Sequence, residues 1–310
     1  MKIERFPATS RADWLAMRKR DVTASEVAAL FGAHPYKTAL QVYAEKTVAG
    51  KSQGDNAAMR RGRILEPGCI VALQELHPDW VIDKCPDYYR AADLRIGATP
   101  DYFRTVPADE NFGLSAHAQI VECKTVSPEK WAEWQGGVPL AYQLQVVVQC
   151  KLVGASQGWI ALLVDNRAKD FELFSVPAHE GAWQRIVAKV AEFWAAVEAG
   201  ELPQADYAKD RAALAALMPP TSAEPVDLRG DNRIAMLLAE RENAKAVAKD
   251  ANELADRIDA EIIEKLAGHE LATADGWKIS HKMQTRKGFT VAAGEFPVLR
   301  ISKTKEKAIA

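Results

Sequence analysis

Six residues, Ile120-Val121-Glu122-Cys123-Lys124-Thr125, constrain this chain more than any other stretch. They make a short apolar run of strand character, broken by an acid and a base two positions apart. Side chains two apart along a strand share a face, so Glu122 and Lys124 project side by side. A carboxylate beside an ammonium at a strand end suits hydrolysis at phosphorus: the carboxylate holds a divalent cation, and the lysine orients or activates a water. Alone, the triplet is unspecific. With 42 Asp/Glu and 21 Lys among 310 residues, chance supplies about three acid-x-Lys triplets. The chain holds one, and its meaning depends on what flanks it.

Upstream, residues 10–18 read as a short helix. Thr23 and Glu26 form a capping box that opens a second helix, whose apolar face is Val27, Leu30 and Phe31 and whose end is Gly32. Thr38 caps a helix through Ala49. After a polar loop at 50–56, a helix of about twenty residues begins at Arg60 and carries Glu66. Trp80–Ile82, Tyr88-Tyr89, Leu94–Ala98 and Gln119–Thr125 read as short strands, with a polar insertion or hairpin loop at Val106–His117. Helical pattern returns at Pro128–Trp134, Leu140–Val153 and His179–Ala199. The run Trp159–Val164 is nearly continuous in apolar residues, as a buried central strand requires, and Phe171–Val176 alternates and pairs with it. This interleaving predicts an α/β (α+β) domain over residues 1–210, with a central mixed sheet flanked by helices.

A connector, Pro219-Pro220-Thr221-Ser222, leads into a different composition, so residues 211–310 read as a C-terminal appendage. Ile234–Ala267 predicts a long charged helix whose seam (Leu237, Ala244, Ala248, Ala251, Leu254, Ile258, Ile262) approaches a 3-4 repeat. Trp277–Ile301 alternates like a small β unit. From Lys278 to Ala310 there are eight Lys/Arg against two Glu, a basic stretch suited to a DNA backbone or to a solvated surface.

The net charge of −2 excludes a globally basic nucleic-acid binder but not a local basic surface. Cys69, Cys85, Cys123 and Cys150 form no Cys-x-x-Cys pair and read as reduced, mostly buried thiols. The six scattered histidines have no zinc-ligand spacing. No apolar run reaches membrane-spanning length and Met1–Arg5 lacks a signal-peptide core, so a cytoplasmic location is expected.

In chain order the chemical candidates are Glu66 on a helix, Asp101 at a strand end, Glu122 and Lys124 on the next strand, and Gln145 on the following helix. Three converging carboxylates bind hard cations such as Mg²⁺ or Mn²⁺ through oxygen. Such ions polarise a phosphodiester and stabilise the charge on the leaving oxygen; without them the acids repel one another. Separately, a helix N-terminus with the Ser25 hydroxyl and nearby Arg18 makes a pocket for a phosphate.

The ordered segments Trp14-x-x-x-Arg18, Thr23-Ala24-Ser25-Glu26-Val27, Gly62-x-x-x-Glu66, Thr99-Pro100-Asp101, Glu122-Cys123-Lys124 and Tyr142-x-x-Gln145 resemble the lambda-type, or YqaJ, phage recombination exonucleases of the PD-(D/E)xK nuclease superfamily. The resemblance covers about residues 10–175. It implies a metal-dependent exonuclease that degrades one strand of linear duplex DNA from its 5′ end, leaving a 3′ overhang for a single-strand annealing protein. It also implies Asp101, Glu122, the backbone carbonyl of Cys123 and Glu66 at the metal centre. Lys124 would position the attacking water, Gln145 would line the site, and Arg18, Ser25 and Thr99 would hold a 5′-phosphate. A ring of three subunits around DNA, in a phage or prophage protein of a bacterial host, belongs to the same expectation. Thr99 stands where the family often has serine, which keeps the hydroxyl; residues 220–310 have no counterpart in the resemblance. The competing readings are an endonuclease or repair-complex nuclease on the same fold, and a catalytically inactive DNA-end-binding protein.

Overall fold

Glu122 lies in the middle strand of a five-stranded sheet, and the rest of the first unit is arranged around that strand. The computed structural model describes residues 1–7, 10–48, 57–106, 117–164, 171–286, 288, 293 and 298–301. It divides into two compact units, Met1–Met218 and Pro219–Ala310.

In the first unit the elements follow as β1 (Ile3–Pro7), α1 (Arg11–Arg20), β2 (Val22–Thr23), α2 (Val27–Leu30), α3 (Ala39–Thr47), α4 (Ala57–Leu76), β3 (Val81–Lys84), β4 (Asp87–Ala91), β5 (Ile96–Ala98), β6 (Tyr102–Val106) and β7 (His117–Val126). Then come α5 (Pro128–Trp131) with a following 3₁₀ turn, α6 (Leu140–Val153), β8 (Gln157–Val164), β9 (Phe171–Pro177), α7 (Glu180–Ala199) and α8 (Arg211–Leu217). The first unit is thus a mixed α/β fold with the expected central mixed sheet flanked by helices, β3-β6-β7-β8-β9, and its described strands form a second, smaller sheet, β1-β4-β5-β2. In the larger sheet β7 runs parallel to β8 and antiparallel to β6. Strands β1, β2 and β6 lie outside the strands expected from the sequence: β1 and β2 are short and lack a clean alternation, and β6 follows directly on the Pro100-Asp101 turn. The expected loop at Val106–His117 lies mostly outside the described residues, as does the loop at 50–56.

The parallel β7–β8 pair requires a crossover, and α6 supplies it. This helix is set by Pro139 at its N-cap and Gly154 at its C-cap, where φ is +79°, a left-handed conformation that glycine adopts without strain. Its Val146-Val147-Val148 run has low helix propensity, yet nine of its residues are buried. Tertiary burial, worth about 1.5–3 kcal/mol for each Val or Leu side chain, overrides that preference. On the other face of β7, Cys69 and Leu73 of α4 pack with Val121 and Ala161. Alternation along β7 therefore sends Ile120, Glu122 and Lys124 toward α6, and Val121 and Cys123 toward α4.

The small sheet is fastened by a buried carboxylate. Asp21 accepts hydrogen bonds from the Tyr88 hydroxyl (3.0 Å) and from Arg90 Nε (3.0 Å) and Nη2 (2.8 Å). Tyr88 reaches it across Gly97, where any Cβ would overlap the phenol ring. Helix α8 packs Ala213, Leu214 and Leu217 on Leu40 and Ala44 of α3. Just before it, Asp210 accepts from Thr38 Oγ1 at 2.6 Å, which ties residues 210–218 to the first unit.

The second unit contains α9 (Asn232–Leu266), capped by Asp231, and an antiparallel hairpin of β10 (Leu271–Ala274) and β11 (Trp277–Ser280). The hairpin lies N-terminal to most of the β unit expected at Trp277–Ile301; described residues after Ser280 form no strand. Among the described residues no helix is long and apolar enough to cross a membrane. All four cysteines are free thiols, and Cys69, Cys85 and Cys150 are buried.

Candidate active site

The edge of the larger sheet where β7 passes Asp101 opens into a cavity of about 490 Å³. Glu66, Asp101, Glu122, Cys123, Lys124, Gln145, Arg18, Ser25 and Thr99, the nine residues singled out from the sequence, all line it. They come from α1, the β2–α2 link, α4, the β5–β6 link, β7 and α6, so the fold gathers what the sequence spreads over more than a hundred positions.

Glu122 is the hub. It is buried, and its Oε1 accepts from Lys124 Nζ and Gln145 Nε2, both at 2.5 Å, while Oε2 accepts from Gln149 Nε2 at 2.6 Å. Gln145 and Gln149 stand four apart on α6, one turn, and so reach the same carboxylate. Gln149 is not among the residues expected at the site; its i+4 spacing from Gln145 is the signal in the sequence that points to it. Its carbonyl oxygen is buried without a hydrogen-bond partner.

Asp101, in the link before β6, accepts from the Cys123 backbone N–H through Oδ2 at 2.9 Å. Burial, then the charge of Glu122, push its carboxyl well above the usual range. Burial alone would lower the Lys124 ammonium, but Glu122 and Asp101 outweigh it and hold the lysine charged. Lys124 Nζ also sits 5.3 Å from the centre of the Tyr142 ring. Glu66, also at the cavity wall, pairs with Lys84 of β3 at 2.8 Å, a partner that periodicity in α4 could not reveal. Among the described residues no three His, Cys, Asp or Glu side chains gather closely enough to hold a metal.

At the other end of the cavity Arg18 Nη2 donates to Thr23 Oγ1 and Ser25 Oγ, each at 3.2 Å. Its guanidinium stacks on Trp14 at 4.5 Å, and Trp14 Nε1 donates to Thr99 Oγ1 at 3.1 Å. Trp14 therefore links Arg18 to Thr99. The helix expected at this point is a single turn, Val27–Leu30, whose N-cap residue Glu26 makes no side-chain cap bond. A dipole of one turn contributes little, so the anion-binding character rests on Arg18 and the hydroxyls. The capping box is half present: Glu26 Oε2 accepts from Thr23 N (3.0 Å) and also from Thr23 Oγ1 (2.8 Å). Glu26 is buried, and Lys46 Nζ pairs with it at 2.7 Å, with Lys37 at 3.6 Å. Burial would raise the Glu26 carboxyl, yet Lys46, Arg18 and Lys37 together hold it far below the carboxylate range. Since the Thr23 hydroxyl proton goes to Glu26, Thr23 Oγ1 presents lone pairs to Arg18 and fixes the guanidinium at the rim.

Residues 13–156 match the family model described as the YqaJ-like viral recombinase domain. No curated protein matches the chain. Among solved structures, an alkaline exonuclease from Laribacter hongkongensis is similar at 20% identity, over 65% of this chain and 98% of that one, with a TM-score of 0.48. A phage-related exonuclease from Haemophilus somnus 129PT is similar at 13% identity, over 58% and 96%, with a TM-score of 0.42. The Shutoff and Exonuclease Protein of Kaposi's sarcoma-associated herpesvirus is similar at 10% identity, over 63% and 71%, with a TM-score of 0.35.

Proposed function

We propose, taking residues 13–156 as a YqaJ-like viral recombinase domain, that this chain is a metal-dependent 5′→3′ exonuclease on linear duplex DNA. It would leave 3′ single-stranded overhangs for recombination by strand annealing. The observation that carries this reading is the union, in one cavity, of the Asp101–Glu122–Lys124 cluster with the Arg18–Ser25–Thr99 rim.

The donor set fits a hard cation. Asp101, Glu122, the Cys123 carbonyl and Glu66 offer only oxygen. A carboxyl pushed up by burial and then by its acidic neighbour marks a place where positive charge is favoured. Bound there, Mg²⁺ or Mn²⁺ would polarise the phosphodiester and make a bound water acidic enough to attack. Glu66 joins the set by exchanging Lys84. Lys124 stays charged and therefore acts by hydrogen bonding and electrostatics, orienting the water and the scissile phosphate. Gln145 and Gln149 hold Glu122 in one rotamer so that its oxygens face the cavity.

The rim supplies end recognition. Arg18 offers a fixed guanidinium whose hydrogen-bond partners are hydroxyls, the arrangement that suits a terminal phosphate. Removal of its side chain (Arg18→Ala) is expected to reduce the preference in kcat/KM for 5′-phosphorylated over 5′-hydroxyl duplex by about 10- to 100-fold, the worth of one charge-assisted hydrogen bond. An unchanged preference sinks the pocket assignment. A trimeric ring around DNA, an annealing-protein partner and residence in the cytoplasm of a phage-bearing bacterium belong to the same reading.

The direct test of the reaction compares linear with covalently closed circular duplex in the presence of Mg²⁺. Mononucleotide release from the linear form alone supports an exonuclease. Internal cuts in the circle transfer the assignment to an endonuclease, and no cutting with either divalent ion leaves a DNA-end-binding role.

A further inference from the structure

Helix α9 carries an apolar face that no described residue of its own unit covers. Of its 35 residues only Leu266 is buried. Leu237, Val247, Leu254 and Ile258 are 43–61% exposed. At 1.5 Å per residue the helix is about 52 Å long, so the face is extended.

The order of residues along that face has a symmetry. Around a point between Lys249 and Asp250, Ala248 mirrors Ala251, Ala244 mirrors Ala255, and Leu237 mirrors Ile262. On this seam the small residues lie at the centre and the large ones toward both ends, with Val247 and Leu254 beside the centre. Charge breaks the other way. Residues 232–249 hold four basic and two acidic side chains; residues 250–266 hold two basic and six acidic. Laid parallel, two copies would set acidic half on acidic half. Laid antiparallel, they set the basic half of each on the acidic half of the other.

We infer that α9 pairs with α9 of a second copy of this chain, antiparallel and centred between Lys249 and Asp250. In that register alanine meets alanine at the crossing, which allows close approach of the two backbones. Leu237 meets Ile262 at each end, and the helix dipoles also oppose. Arg241 is the polar member of the seam. Its Nη1 lies 3.6 Å from Glu242 and makes no hydrogen bond; in the pair its stem covers Ile258 of the second copy while its head reaches the acidic half. The inference is independent of the nuclease reading, because it uses no residue of the first unit.

Light scattering on the full chain, with and without Ala248→Lys/Ala251→Lys, tests it. Four added ammonium groups at the crossing are expected to lower the assembly mass at micromolar concentration, to half where the first unit adds no association of its own, with the helical circular-dichroism signal unchanged. Equal masses for the two proteins overturn the inference. Orientation is read by mild oxidation of variants that each add one exposed cysteine to the four native thiols. Ala244→Cys mixed with Ala255→Cys is expected to give an interchain disulfide that neither forms alone. Cross-linking of Ala244→Cys with itself would mean a parallel pair and overturn the antiparallel assignment.

Discussion

Lys124→Ala is expected to slow duplex cleavage by about 10²- to 10⁴-fold, the usual contribution of a positioned proton-handling or water-orienting group, while leaving the affinity for duplex ends nearly unchanged. The reasoning is local. Lys124 Nζ is held 2.5 Å from Glu122 Oε1, inside the cavity proposed to take the scissile phosphate, and it makes no contact with Arg18, Ser25 or Thr99. Single-turnover rates and a separate binding measurement, made in Ca²⁺ to suppress turnover, divide the two effects. Equal loss of binding and cleavage would show that Lys124 acts as a phosphate anchor and not at the chemical step. The same substitution removes a cation from between two acids, so the carboxyl of Asp101, already raised by burial and Glu122, should rise further.

The second large effect concerns stability. Lys46→Met is expected to destabilise the first unit by about 3–5 kcal/mol, because it strands the buried Glu26 carboxylate without its closest cation. For a unit of this size that corresponds to a fall in Tm of roughly 10 °C. The double variant Glu26→Gln/Lys46→Met should recover most of the loss, since replacing both members of a buried pair is often close to neutral. The pH dependence carries the sign. Glu26 is held far below its ordinary value of 4.5, so its contribution is fully present above about pH 4.5 and is lost as the solution is acidified below that. In Lys46→Met the pull downward is weaker and burial remains, so the acid-side fall in stability should flatten. A Tm unchanged within 2 °C in Lys46→Met would contradict the role given to this pair. Because Glu26 also orients Thr23, which holds Arg18, the pair connects the stability of α3 to the geometry of the phosphate rim.

What could be read from the sequence follows from how local each signal is. The acid-x-Lys triplet announces both its strand and the shared face of Glu122 and Lys124, because period-2 alternation is a property of adjacent residues. Leu140–Val153 was legible to the residue, since Pro139 and Gly154 mark its ends chemically and not by pattern. By contrast, β6 was missed although it holds Asp101 in place: Tyr102–Val106 mixes Arg104 and Thr105 into the run, and its strand character comes from pairing with β7. The partition into two sheets was invisible for the same reason, since β1 finds β4 over eighty residues away. All nine site candidates line the cavity, yet their partners were hidden. Lys84 on Glu66, Trp14 bridging Arg18 to Thr99, and Lys46 under Glu26 are contacts between distant elements. Gln149 was within reach of sequence reasoning, as the residue one helical turn beyond Gln145.

In the proposed function, one cavity both recognises a DNA 5′ end and cuts beside it. This pairing is tested most directly with linear duplex carrying a label at the 5′ or the 3′ end of one strand, with or without a terminal 5′-phosphate, in Mg²⁺. Immediate release of the 5′ label as a mononucleotide, dependent on the phosphate, with the 3′ label retained in long products, is the result the arrangement of Arg18, Asp101, Glu122 and Lys124 predicts. Release of the 3′ label first, or cleavage indifferent to the state of the 5′ end, would contradict it.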